Sequence, residues 1–581
     1  MTTMPDTNLT ESTHLLEKST DVSDKEDGVI EEVAPQDDNI SFWKSGRTSV
    51  VICILFIELC ERMTFYSISG NLVLFCTSVL LTDSPTAATI SLAFTGTSYF
   101  VPVFGGYIAD TVAGKFNTIY GSALIYFVGA AILPLISFDY IRVFSVGAKR
   151  GFFGVSLLLV AFGTGGIKSN VGPFGAQQLE DLGDGAIRSF FNWFYWFINV
   201  GSGIAFSAVV YIQQEISFFW GFLVPSISIF IANGLLLLQR KKYINHPPEG
   251  SALTNIVKVT AVGACSCCRK RETRESVNIQ SRFDYAKESN GGKYPDCDVE
   301  STKSILRILP IFGCFVLYWT IYNQMSSTYF LQGERLHLKY NDFTIPVAVL
   351  NLFNSAIILM LIPIVDRFLY PKLEQWGINF TQLKRIGTGM ILATLSVVIA
   401  AIIEIQRKNI MRDGHYLQQN LSTEVFNASD LSVMVQIPQF ALIGASEVFA
   451  SITGLEFAYS QSPLALQGVI MGLFLLTTGL GSYVGSLLVL IVNSISEAAG
   501  SEWLPDEPND GHLEYFFLLL AGLMILNFCL YLWVSSKYEY VQPYSILNFS
   551  ESEDRGRTTD YHTRKKPRVH SKVETLSESE M

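Results

Sequence analysis

The sequence predicts an all-α membrane protein of about twelve transmembrane helices in two six-helix bundles. Composition is the first observation: of 581 residues, 49% are hydrophobic and only 16% are charged. With a mean hydropathy of +0.32, the chain is too apolar for a soluble protein of its length. The second is a recurrence of apolar runs near the ~20 residues a membrane-crossing helix needs. They lie near 48–77, 87–109, 116–138, 151–171, 190–212, 216–238, 305–331, 345–366, 385–405, 433–459, 465–492 and 514–536. The third is a polar stretch at 239–304 that divides them six and six. Helices are required because lipid leaves no backbone group a water partner, and the alternation of a barrel strand is missing.

The elements follow in order. Residues 1–47 are acidic and poor in apolar side chains, which reads as a disordered tail and locates much of the net charge of −11 there. This balance excludes nucleic acid as a partner. The first apolar run starts behind that tail, near Thr48, so it is expected to be a true span and not a cleavable leader. The bundles then occupy 48–238 and 305–536, with a linker at 239–304 and a C-terminal tail at 537–581. Arg240, Lys241, Lys242, Arg269, Lys270, Arg271 and Arg274 crowd the linker, whereas 78–86, 213–215 and 493–513 contain no Lys or Arg. By the positive-inside rule the linker and both termini are cytosolic. The glycosylation acceptors Asn420 and Asn427 then fall on the opposite side, as they must to be used. The nine cysteines suggest no disulfide framework, and ACSCCRKR lacks a second cluster at zinc spacing, so no metal is expected.

Ionisable side chains within the apolar runs are few, and each costs about 2.5–3.5 kcal/mol at a helix centre on insertion scales. They are Glu58, Glu61 and Arg62 in the first span, Lys168 at the end of the fourth, and Glu447 and Glu456 in the tenth. Glu58 shares a helix face with Glu61 and with Arg62, three and four residues on. Cations in the first half and an acid in the second suit a zwitterion, its ammonium drawn to Glu447 and its carboxylate to Arg62 and Lys168. Burial favours a neutral carboxyl and a nearby cation favours an ionised one, so moving a cation in and out of reach can load and release a proton. All seven histidines lie in tails or loops, so any proton coupling must rest on carboxylates.

GGYIADTVAGK places Gly106, Asp110, Gly114 and Lys115 at the spacing of the cytosolic gate motif of major facilitator transporters, which the six-plus-six layout also resembles. Asn117 stands where a second basic residue is usual. Three further stretches resemble the proton-coupled oligopeptide transporters, solute carrier family 15, and most closely the peptide/histidine subgroup. The first is Glu58, Glu61 and Arg62 followed by Phe65 and Tyr66; the second is GTGGIKSNVGPFGAQQ with FFNWFYWFINVGS; the third is QIPQFALIGASEVFASITGLEFAYSQSP. The resemblance implies that Arg62 and Lys168 meet a substrate carboxylate and that Glu447 binds the amino terminus. It further implies that Asn199 and Asn354 bond the peptide backbone, that Tyr66, Tyr99 and Trp319 line the pocket, and that Glu58 and Glu61 couple a proton to Arg62. No cofactor is implied, protons being the coupling ion. The chain departs from relatives at Leu92 in place of a histidine, Asn323 in place of an acid, Phe474 in place of a tryptophan and Phe65 in place of a tyrosine.

ESTHLL, with Glu11, Leu15 and Leu16, resembles an acidic dileucine sorting signal, and YSIL, from Tyr544 to Leu547, a tyrosine-based one. Both point to sorting adaptors and to the lysosomal or endosomal membrane, where peptide/histidine relatives work. An acidic lumen would load the proton and a neutral cytosol would release it. The expected function is a proton-coupled symporter of di- and tripeptides and histidine, embedded in membrane lipids and running from lumen to cytosol. Two other readings stand beside it: a carrier of another small zwitterion or anion, and a membrane scaffold whose tails and linker recruit cytosolic signalling adaptors.

Overall fold

The computed structural model describes residues 46–138, 145–182, 184–248, 252–265, 281–340, 343–421, 424–461, 467–505 and 507–540. The sorting-signal residues Glu11, Leu15, Leu16, Tyr544 and Leu547 lie outside them. The first half contains α1 (Thr48–Gly70), α2 (Ser84–Ile108), α3 (Lys115–Ser137), α4 (Val146–Lys168), α5 (Asp184–Ile204) and α6 (Phe218–Leu238). The second contains α7 (Asp296–Tyr322), α8 (Asn351–Ile364), α9 (Gln382–Arg412), α10 (Ile437–Glu447), α11 (Gln467–Ala498) and α12 (Leu513–Ser536). Eleven helical segments among the described residues are long and apolar enough to cross a membrane. The remaining long helix, α1, is set apart by Glu58, Glu61 and Arg62.

Local chemistry fixes the starts of these helices. Asp83 accepts a hydrogen bond from Thr86 N at 2.9 Å with Pro85 in the first turn of α2, and Ser145 caps α4 through Ala148 N at 3.3 Å. Gly114 turns the chain between α2 and α3 with φ at +75°, which a side chain would resist. Some boundaries differ from the hydropathy reading. The first span ends at Gly70 because the Asn71 amide donates to Val210 O at 3.1 Å, and a separate helix, Leu72–Ser78, follows. α7 begins at Asp296, inside the stretch assigned to the linker, because Asp296 and Asp298 suit a helix N-terminus although they are polar.

Within the first half α1 packs on α5 and α6, while α4 packs on α2 and α3; within the second, α9 packs on α10 and α12, and α7 on α11. Phe75 sits among Phe153, Phe218 and Phe222 at 5.0–5.3 Å between ring centres. Outward faces stay apolar: Val155, Leu158 and Phe162 form an exposed helical stripe along α4, the signature of a lipid-facing surface. At one end of the second half a hairpin, β1 (Tyr416–Leu421) and β2 (Glu424–Ser429), is antiparallel with Asn427 opposite Gln418. The acceptors Asn420 and Asn427 both lie on it. Beneath it the fully buried Arg407 pairs with Glu404 at 2.5 Å and donates to Asn509, so the loop before α12 is tied to α9.

The linker carries a helix, Ala252–Cys265, packed against a tight turn at Arg282–Ala286. Asp284 accepts from Lys303 at 2.7 Å and pairs with Lys287 at 3.2 Å. Burial alone would raise this carboxyl, but hydrogen bonds from Lys303, Ser281 N and Lys287 outweigh it and hold it down at about 2. A folded value below the usual carboxylate range adds stability above pH ~4 that is lost only as pH falls through the folded value. Asp284→Asn should therefore loosen this docking by on the order of 2 kcal/mol at neutral pH, read as faster hydrogen exchange across 281–295, with the difference from wild type shrinking toward pH 2.

Candidate functional site

The site is built outward from α1. Arg62 is 5% exposed and its Nε lies 2.9 Å from Glu58 Oε1 and 2.5 Å from Glu61 Oε2. One guanidinium thus serves two buried carboxylates, leaving the triad one negative charge in excess when both are ionised. The remaining Glu61 oxygen accepts from Thr164 Oγ1 of α4, while Glu58 Oε2 and Arg62 Nη2 are buried without a hydrogen-bond partner. Close helix approach allows this: a β-carbon on Gly201 would sit 2.7 Å from Leu59 O and 3.1 Å from Arg62 Cβ, so glycine lets α5 press onto α1 at the arginine.

Lys168, the last residue of α4, brings a second cation. Its ammonium lies 3.8 Å from the centre of the Tyr99 ring and 4.1 Å from that of Phe65, with no hydrogen-bond partner. Ring faces attract a cation by about 0.5–2 kcal/mol but supply no acceptor, so the ammonium remains open to an anionic ligand. It also lies close enough to Glu58, Glu61 and Arg62 to interact electrostatically with each. Tyr66 packs against Phe65 and Phe206 at 5.4 and 5.2 Å between ring centres.

The second half contributes the opposite charge. Glu447 ends α10, immediately before a wide helical turn over Val448–Ile452, and lies beside Tyr322 and Asn354. Such wide turns recur at functional sites because they re-aim a side chain. Glu447 is also within electrostatic reach of Tyr66, Tyr99 and Tyr195 of the first half. The structure therefore brings Glu58, Glu61, Arg62, Tyr66, Tyr99, Lys168, Asn354 and Glu447 into one connected cluster. Trp319 is buried, with its ring centre 5.0 Å from Tyr322 and 6.1 Å from Phe474 and its Nε1 without a partner. Asn199 is engaged elsewhere, its Nδ2 donating to Tyr195 O one turn back at 2.8 Å.

Sequence reasoning missed Thr164, Tyr195 and Tyr322. Thr164 stands four residues before Lys168, one helical turn along the same face, a spacing that flags the residue but not the carboxylate it meets. The gate residues Gly106, Asp110, Gly114 and Lys115 lie away from this cluster, at the opposite end of the bundle from the hairpin, where α2 finishes in a wide turn over Ala109–Ala113.

The halves meet along α2 and α11. Ser91 Oγ donates to Ser326 O at 3.0 Å, Thr97 and Tyr483 share a hydrogen bond of 2.8 Å, and Ser486 Oγ donates to Thr89 O at 3.4 Å. These bonds lie between the site and the end of the molecule that carries the hairpin. The helices come closest at Gly96 and Gly479, where a β-carbon on Gly479 would be 2.9 Å from Gly96 O.

Comparison with known proteins fits this arrangement. The profile of the POT family matches residues 116–504. Solute carrier family 15 member 3 of Mus musculus is 31% identical over 560 residues, covering 88% of this chain and 95% of the relative. Protein NRT1/PTR FAMILY 8.1 of Arabidopsis thaliana is 34% identical, covering 86% of this chain and 95% of its own. Among solved structures, an auto-inhibited POT family peptide transporter superposes with a TM-score of 0.68 at 26% identity, covering 85% of this chain and 98% of that one. The POT family transporter PepTSo gives 0.69 at 27% identity, covering 84% and 98%.

The α2–α11 contact makes a direct prediction. Gly479→Val should wedge the halves apart, so that a cysteine placed at Ser91 in a cysteine-free background reacts several-fold faster with an impermeant thiol reagent added from the hairpin side. Equal labelling rates with and without the valine would count against this contact as the closure.

Proposed function

This chain belongs to the POT family of peptide transporters, and we propose that it is a proton-coupled symporter carrying di- and tripeptides and free histidine from the endolysosomal lumen to the cytosol. The observation that carries the reading is the separation of charge across the two halves: Arg62 and Lys168 on one side of the space, Glu447 on the other. A free amino acid or short peptide presents the matching pair, an ammonium and a carboxylate joined by a short polar backbone. Glu447 takes the ammonium, and Lys168 and Arg62 take the carboxylate. Asn354 bonds the backbone between them, within walls formed by Tyr66, Tyr99 and Trp319. Asn199 joins Asn354 once it exchanges Tyr195 O for the ligand.

Coupling follows from the shared guanidinium. While Glu58 and Glu61 are both ionised they hold Arg62 between them and compete with the substrate carboxylate for it. A proton on either weakens that hold and frees N–H groups for the substrate. The contacts between α2 and α11 close the hairpin end in this state, so the site faces the end bearing the gate motif and the linker, which the distribution of Lys and Arg assigns to the cytosol. Rocking of the halves about the site would open the hairpin end to the lumen. Glycans on Asn420 and Asn427 and adaptor recognition of Glu11, Leu15, Leu16 and the Tyr544–Leu547 segment accord with residence in an endolysosomal membrane.

Purified protein in liposomes with the acidic compartment on the hairpin side should move labelled histidine or a dipeptide down the proton gradient. Glu447→Gln and Lys168→Ala should each cut that flux by at least about tenfold, as expected when one member of a desolvated charge pair is removed. No flux of either substrate from well-folded protein would refute the reading, and wild-type flux in the Glu447 variant would refute the site. In cells, replacing Leu15 and Leu16 with alanine should move the protein to the plasma membrane, measured by surface biotinylation; undiminished lysosomal residence would remove the dileucine signal from the account.

A further inference from the structure

The two carboxylates of α1 are not held alike. Glu61 is fully buried; its Oε1 accepts from the Thr164 hydroxyl, a donor Glu58 lacks, while its Oε2, 2.5 Å from Arg62 Nε, is without a hydrogen-bond partner. Glu58 has one oxygen 2.9 Å from Arg62 Nε, and its other oxygen is buried without a hydrogen-bond partner. An ionised carboxylate wants several donors and a protonated one needs fewer acceptor contacts, so this asymmetry separates their roles.

A second hydroxyl stands behind the first. Tyr126 of α3 is fully buried, its OH without a hydrogen-bond partner, and it lies beside Thr164 with Glu61 and Arg62 in electrostatic reach. Its position is enforced by backbone contact: a β-carbon on Gly163 would be 2.4 Å from Tyr126 Cβ, so α3 and α4 touch at this level only because residue 163 is glycine. Phenylalanine would fill the same volume, so packing does not explain a buried phenol there. Thr164 thus donates to one carboxylate, and Tyr126 stands beside Thr164 with its hydroxyl unspent. The charged and titratable groups facing Glu61 are otherwise Glu58 and Arg62 on its own helix, Tyr66 one turn on, Tyr99 of α2 and Lys168 of α4.

We propose that Thr164 and Tyr126 are positioning residues that keep Glu61 as the standing counter-ion of Arg62, so that Glu58 takes the transported proton. This deepens the proton-coupled reading and rests on it. In the loading step Glu58 gains a proton from lumenal water, its ion pair with Arg62 Nε opens, and the net charge of the triad goes from minus one to zero. Arg62 stays anchored on Glu61 while its freed N–H groups receive the substrate carboxylate. In the release step the substrate leaves, Glu58 returns its proton to cytosolic water and the Arg62–Glu58 pair re-forms.

The test compares Thr164→Val, which removes the hydroxyl at constant volume, Thr164→Ser, which restores it, and Tyr126→Phe. Each is reconstituted and assayed for gradient-driven uptake against pH and for counterflow exchange. Without its hydroxyl donor Glu61 would compete for the proton, so the pH midpoint of uptake in Thr164→Val should rise by about one unit, the shift expected for one lost charge-assisted hydrogen bond. Thr164→Ser should return the midpoint to that of wild type, and Tyr126→Phe should move it upward by less. A valine profile that superimposes on wild type, or a serine variant shifted as far as valine, would overturn the proposal. Should the valine variant fail to fold, Tyr126→Phe decides alone, an unshifted midpoint overturning it. Wild-type protein that exchanges substrate in counterflow yet shows no acceleration by a proton gradient would defeat the proton-coupled reading itself and take this proposal with it, a failure visible before any variant is made.

Discussion

A single guanidinium held between two carboxylates inside the bundle is the constraint on which the rest of the structure depends. Removing one member of a buried ionic group costs about 3–5 kcal/mol because its partner is stranded in low dielectric. Around Arg62 the fold supplies what that group requires: Glu58 and Glu61 on the same helix, Thr164 from α4, and a glycine at 201 that lets α5 close over it. The compensation is incomplete, since Arg62 Nη2 and Glu58 Oε2 have no hydrogen-bond partner and Lys168 rests on aromatic faces. A group built only for stability would have been closed or replaced by apolar packing. Partial satisfaction leaves donors for an arriving anion.

The second constraint is that the opposite charge belongs to the other half. Glu447 reaches the space from α10, at the junction of a regular helix and a wide turn. In the proposed reading a ligand that spans the two charges would join the halves at the site, while the α2–α11 hydrogen bonds join them beyond it. Those bonds involve only hydroxyls and backbone carbonyls, groups that water can satisfy equally well. Their net worth is therefore only about 0.5–1.5 kcal/mol each, a modest barrier to opening. The buried ion pairs sit within single halves, Glu404 with Arg407 in one and Arg62 with Glu58 and Glu61 in the other. Strong electrostatics thus hold each half rigid and weak neutral contacts lie between them, which is the division a rocking bundle requires.

Most of the architecture was legible because it depends on local properties. Apolar run length gave the helices, and charge within those runs gave Glu58, Glu61, Arg62, Lys168 and Glu447, five of the residues the structure clusters together. The boundaries moved where a polar side chain acts at a helix end, as with Asn71 and Val210 or Asp296 in the first turn of α7. What could not be read were contacts set by the relative placement of helices. Thr164 reaches Glu61 across 103 positions of sequence, and nothing in GTGGIK says which neighbour its hydroxyl will face. Whether Lys168 lies on rings or on a carboxylate, and whether Asn199 bonds a ligand or its own helix, likewise depends on distances that only the assembled bundle fixes.

The departures from relatives sharpen where coupling can reside. Asn323, which stands where some relatives carry an acid, donates through Nδ2 to Ser482 Oγ at 2.7 Å, and one turn earlier Thr320 donates to Gly481 O at 2.9 Å. α7 is thereby fastened to α11 by neutral groups whose bonds do not change with pH. Leu92, where some relatives carry histidine, is fully buried beside Gly485 in the seam between the halves, so this position adds no charge to the seam as pH falls. Under the proposed cycle no titration remains available at the α2–α11 and α7–α11 contacts. Protonation can then influence the halves through the buried ionisable groups around Arg62 and Glu447 and not through that seam, which makes the hold on Arg62 the proposed point where proton and substrate meet.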